Sequence, residues 1–200
     1  MHESNLRSQL LPVGSFGRKA SGWYGVWTLV LTETAIFAYL LFGYFYLASQ
    51  AEGDWPVGGP PSLALALPNT FVLLASSAAL VFAERAGARR GKRAQLLGGL
   101  ALAIVLGAGF VLVQLQEWQA KAFSPRSGTY GSSFFIVTGF HLAHVIVGLM
   151  LLLALFVWAL FGMFDPQRHA PLTIGAIYWH FVDVVWLVVF SALYLAPRLG

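Results

Sequence analysis

Long apolar stretches alternate with short polar ones along the chain. Runs carrying one charge or none occupy about residues 23–48, 68–83, 94–116, 130–161 and 173–196. A hydrocarbon core about 30 Å thick needs roughly 20 apolar residues of helix, and backbone facing lipid must close its hydrogen bonds within its own segment. The pattern therefore predicts an all-α integral membrane bundle of five transmembrane helices. A Gly/Pro-rich stretch, SQAEGDWPVGGPPS, ends the first helix. Pro68 suits the first turn of the second span, the shortest, after which Gly87 and the basic residues Arg89, Arg90, Lys92 and Arg93 predict a loop. Gly98, Gly99, Gly107 and Gly109 on the third span predict close approach of neighbouring helices. The fourth span is long enough to tilt or protrude. Residues 1–22 read as a polar tail and 23–200 as a single transmembrane domain.

Composition agrees, with 58% hydrophobic residues, 10% charged and a mean hydropathy of +0.72. The net charge of +4 does not point to nucleic acid, because the basic residues cluster between apolar spans without interleaved aromatics. Topology accounts for it better. With a cytoplasmic N-terminus, nine lysines and arginines fall inside and three outside (Lys121, Arg126, Arg198), which places the C-terminus outside. The absence of cysteine removes disulfides, thiolate metal sites and redox thiols. The first 22 residues hold no unbroken apolar core of the signal-peptide type.

Ionisable groups at membrane depth are functional candidates because each is costly unless partnered. They are Glu33, His141, His144, His180 and Asp183. The spacing of three in His141/His144 and in His180/Asp183 puts each pair on one helix face, directed into the bundle for intramembrane polar packing. Glu33 lies about 15 Å into its helix among Leu29, Val30, Ile36 and Phe37, with no basic neighbour one turn away. Two readings stay open for it: a buried proton-linked or lipid-linked acid, or a structural hydrogen bond. The histidines and Asp183 could in principle hold zinc or iron, but a haem-copper centre needs more histidines and a binuclear copper centre needs cysteines. No catalytic residue and no metal site is assigned. Trp23, Trp27, Trp118, Trp179 and Tyr194 read as interfacial belt residues, Trp186 as helix packing, and Glu84, Glu117 and Asp165 as solvated charges at span ends.

Three stretches resemble cytochrome c oxidase subunit III: YGSSFFIVTGFHLAHVIVG (Tyr130 to Gly148), YWHFVDVVW (Tyr178 to Trp186) and LPNTFVLLASSAAL (Leu67 to Leu80). With the acid of TETAIF, the resemblance covers nearly everything from Trp23 onward and is to the short bacterial type that lacks two N-terminal helices. Glu33 matches the family's membrane acid, flanked here by Thr32 and Thr34, and His141, His144, His180 and Asp183 match signature positions. The resemblance implies a non-redox accessory subunit of a proton-pumping respiratory oxidase in the bacterial inner (plasma) membrane. It would carry no cofactor, with haem and copper in partner subunits. Its implied role is to stabilise subunit I against turnover inactivation and support proton uptake, beside subunit II and other oxidase subunits. The resemblance also implies bound phospholipid, although half the wall of the family's lipid cleft is missing in a five-helix chain. The complex would be an oxidoreductase and translocase without this chain being the catalytic subunit. Alternatives are the equivalent subunit of a quinol oxidase, a subunit-III-like protein associated with nitric oxide reductase, or a small proton-coupled transporter. The last lacks the inverted repeat and broken helices of that class.

Overall fold

The computed structural model describes residues 21–88, 92–164 and 169–199. It is helical, without a strand among the described residues, and has five helices long and apolar enough to cross a membrane. We number them α1 (Ser21–Ser49), α2 (Leu63–Phe82), α3 (Arg93–Gln119), α4 (Thr129–Leu160) and α5 (Ala170–Phe190). All five predicted spans are present. The tail up to residue 20, Arg89, Arg90, Asp165 and Arg168 lie outside the described residues.

Element ends differ from the sequence expectation where local polar chemistry sets them. The second helix begins at Leu63 because the Ser62 hydroxyl accepts the Ala64 N–H at 3.2 Å. Pro68 consequently stands inside α2 rather than in its first turn, and the missing N–H removes one intrahelical bond. A turn of π-helix, Ala83–Ala88, prolongs α2 into the segment expected to be loop, and α3 starts at Arg93. Arg93 donates to the Leu160 carbonyl at 2.5 Å, tying the start of α3 to the last turn of α4. At the other end of the bundle, α5 passes through a π turn, Ser191–Leu195, into a 3₁₀ turn, Ala196–Arg198. There Arg198 donates to the carbonyls of Tyr194 and Pro61, pinning this end to the approach to α2.

Helices α2, α3, α4 and α5 close into a ring, each packed on the next, and α1 lies outside it, against α4 and α5. In the most apolar window of α5, 56% of residues are buried, against 11% in α1, so α5 is the central element and α1 the peripheral one. Trp179 of α5 keys the ring together. A Cβ at Gly107 of α3 or at Gly148 of α4 would come within 2.8 Å of its ring, so both glycines are the seat of the indole. Its Nε1 donates to Ser76 Oγ of α2 at 3.1 Å. Gly99 allows true backbone approach, since a Cβ there would lie 3.0 Å from the Ala79 carbonyl oxygen of α2. Gly98 and Gly109 face open space and take no part in packing within the chain.

Candidate functional site

Glu33 reaches across from α1 to α4, where its Oε2 lies 2.9 Å from His144 Nε2. The other ring nitrogen, Nδ1, is 2.6 Å from the Phe140 carbonyl oxygen. A carbonyl only accepts, so Nδ1 carries a hydrogen, and the bond between Nε2 and the carboxyl holds one shared proton. With that proton on oxygen the pair is acid and imidazole; with it on nitrogen the pair is carboxylate and imidazolium. Either way the net charge is zero, which removes most of the penalty of placing a carboxylate at this depth. Phe37 stands edge-on to the imidazole with ring centroids 5.0 Å apart. The Thr32 and Thr34 hydroxyls donate to the Leu29 and Val30 carbonyls of their own helix, which leaves Glu33 to its histidine. The acid is half-buried rather than enclosed, with 21% of its side chain exposed.

A second polar cluster joins α2 to α5. The Ser77 hydroxyl donates to Asp183 Oδ2 and lies 3.0 Å from His180 Nδ1, so one serine ties both residues to the ring. Asp183 is 5% exposed, whereas His180 keeps 37% of its side chain open at the rim. His180 borders an apolar groove of about 550 Å³ between α1 and α5, walled by Trp27, Phe37, Leu41, Phe181 and Val188.

His141 joins neither cluster. It is fully buried, stacked on Trp186 at 4.9 Å and edge-on to Phe110 at 5.9 Å. The five sequence candidates thus divide three ways, and the partner of Glu33 is a histidine of another helix. Among the described residues no group of three or more metal-ligating side chains comes together. What the Glu33–His144 contact can do chemically is hold a proton between a carboxyl oxygen and a ring nitrogen.

Several polar residues take places that sequence reasoning did not give them. Glu117, expected to be a solvated span end, is 3% exposed, and its Oε1 accepts from Lys121 Nζ at 2.6 Å and Tyr194 Oη at 2.8 Å. The ammonium also sits over the rings of Phe134 and Tyr194 at 5.2 Å. An acid four residues before a lysine was the available signal. Glu84 is likewise buried, accepting from the Thr173 hydroxyl at 2.9 Å. Trp179 and Tyr194 are fully buried ring residues rather than belt residues, while Trp27 does face outward. Trp186 packs as expected and donates to Thr70 Oγ1 at 2.9 Å.

The sequence profile described as "Cytochrome c oxidase subunit III" matches residues 17–197. Among similar proteins, cytochrome c oxidase subunit 3 of Papio hamadryas is 38% identical over 179 residues, covering 86% of this chain and 68% of that protein. The Hippopotamus amphibius protein of the same name is 35% identical, covering 97% and 75%, and that of Equus caballus is 37% identical, covering 86% and 68%. A profile match over nearly the whole chain, on a bundle of five helices long and apolar enough to cross a membrane, has one consequence: the chain belongs to the cytochrome c oxidase subunit III family, the third subunit of haem-copper oxidases, and is a multi-pass membrane protein.

Proposed function

We propose that the chain is a non-redox wall packed beside the haem- and copper-bearing subunit I, that it stabilises subunit I during turnover, and that it supports proton uptake. Subunit II and the remaining oxidase subunits complete the assembly in a bacterial plasma membrane. The observation that carries the proposal is the 2.9 Å contact between Glu33 Oε2 and His144 Nε2. A neutral acid–imidazole pair tolerates the membrane and exchanges its proton between oxygen and nitrogen without creating net charge, which a purely mechanical wall would not require. His141, His180 and Asp183 act as intramembrane packing residues, with Ser77 as the link between α2 and α5. The apolar groove between α1 and α5 suits a phospholipid acyl chain.

The test is co-purification in mild detergent after expression with the genomic neighbours, followed by intact-complex mass spectrometry. Migration with a haem-bearing subunit is expected; a chain that migrates alone and haem-free sinks the proposal. Glu33→Gln keeps a hydrogen bond to His144 but cannot pass a proton, so assembly should persist while turnover slows or decays. Loss of assembly instead would make Glu33 structural.

A further inference from the structure

Beyond the Glu33–His144 pair, the interior of the ring carries a seam of buried polar groups that the bundle itself does not satisfy. Both ring nitrogens of His141, Gln114 Oε1, Asn69 Oδ1 and Glu117 Oε2 have no protein hydrogen-bond partner. All four side chains are buried, Gln114 and His141 completely.

The groups lie along one line. The Asn69 amide donates to the Phe110 carbonyl at 3.1 Å, and the Phe110 ring meets His141. On α3, Phe110, Gln114 and Glu117 follow at spacings of four and three, so they share one face, and Lys121 lies two residues beyond the end of the helix. The Gln114 amide nitrogen bonds to the Tyr194 hydroxyl, which in turn donates to Glu117. From Phe110 to Glu117 the seam spans about 10 Å of helix. Its outer mouth, on the orientation given by the lysine and arginine count, is Lys121, whose side chain is 9% exposed.

We propose that the ring of α2 to α5 holds an outward-opening, blind well of water molecules running from Lys121 and Glu117 to His141. The ligand class follows from the valences. An imidazole has one donor and one acceptor to satisfy, and the amide and carboxylate oxygens accept. The neighbouring donors are already committed, since Trp186 Nε1 gives its hydrogen to Thr70 and Tyr194 Oη gives its own to Glu117. Water is small enough to enter and both donates and accepts. Trp186 and Trp179 close the inner side. Below His141 the indole of Trp179 fills the ring between Gly107 and Gly148, and its N–H is satisfied by Ser76. A well that ends there brings outside protons to His141 without leaking them across the membrane.

The experiment is X-ray radiolytic footprinting of the intact complex in H₂¹⁸O, in which hydroxyl radicals from bound water label adjacent side chains. Trp179, Trp186 and Tyr194 are equally inaccessible in the fold. After seconds of mixing, Trp186 and Tyr194 should take up ¹⁸O at least several-fold more than Trp179. Labelling equal to that of Trp179, or only after prolonged soaking, overturns the well or its outward opening. Gln114→Leu should lower the label at Trp186 several-fold, and an unchanged label also overturns it. The wild-type comparison decides the matter even if that variant fails to assemble.

Discussion

At the scale of single residues, membrane burial makes pairs rather than individual groups the unit that matters. Glu117 and Lys121 show this most sharply, because the ion pair is nearly closed to solvent, with side-chain exposures of 4% and 9%. Removing one member of a buried pair strands the other charge, and such losses run to about 3–5 kcal/mol, whereas removing both can be close to neutral. Glu117→Gln and Lys121→Met are each expected to lower the thermal midpoint of the complex clearly, and the double variant to recover most of the loss; a double variant showing the sum of both losses would contradict the pairing. For the Glu33–His144 pair, His144→Leu leaves a half-buried carboxyl without its hydrogen-bond partner, at a cost of about 1–3 kcal/mol. Heat denaturation of the variant complex measures it, and an unchanged midpoint would mean the pair contributes nothing to holding α1. The acid itself was legible in the sequence as the one charge in its span. Its partner was not, since which of two histidines three residues apart turns toward α1 depends on how α4 is rotated in the bundle. Ser77 and Thr70 stayed hidden for the same reason: their hydroxyls acquire meaning only when His180, Asp183 and Trp186 face them.

At the scale of helices, apolar run length located every span but could not fix the ends, which depend on short-range polar contacts. Ser62 starts α2 ahead of Pro68, and a π turn carries the chain past Phe82. Glycine content told a partial story. Four glycines on α3 have the same sequence signature, yet Gly99 meets a backbone, Gly107 seats an indole, and Gly98 and Gly109 meet nothing within the chain. Size complementarity between Trp179 and its two glycines yields a direct test. A methyl at Gly148 would sit 2.8 Å from the ring, and overpacking of this kind costs about 1–3 kcal/mol. Gly148→Ala should therefore destabilise the bundle in a detergent melt, and Gly109→Ala, built into open space, should not; equal effects would refute the seat.

At the scale of the molecule, a closed ring of four helices with a fifth laid against one side predicts uneven stability. Helix α1 contacts chiefly α4 and α5, and much of its length presents large apolar side chains outward, among them Leu31, Tyr39 and Phe42. Its apolar surface gains little from packing where the alternative is lipid, so the polar tie from Glu33 to His144 carries a larger share of its attachment than any hydrogen bond does within the ring. Elements with few buried contacts open first. Backbone hydrogen exchange on the isolated chain in detergent should accordingly be fastest in α1 and slowest in α5. His144→Leu should speed exchange in α1 several-fold while leaving α2 and α3, which meet through Gly99, unchanged. If α1 proves as protected as α5, or if the variant loosens every helix alike, α1 is an integral part of the core and the pair is one contact among many. If α1 alone responds, a proton held between two side chains also sets how firmly that helix is attached, joining the chemistry of the site to the mechanics of the wall.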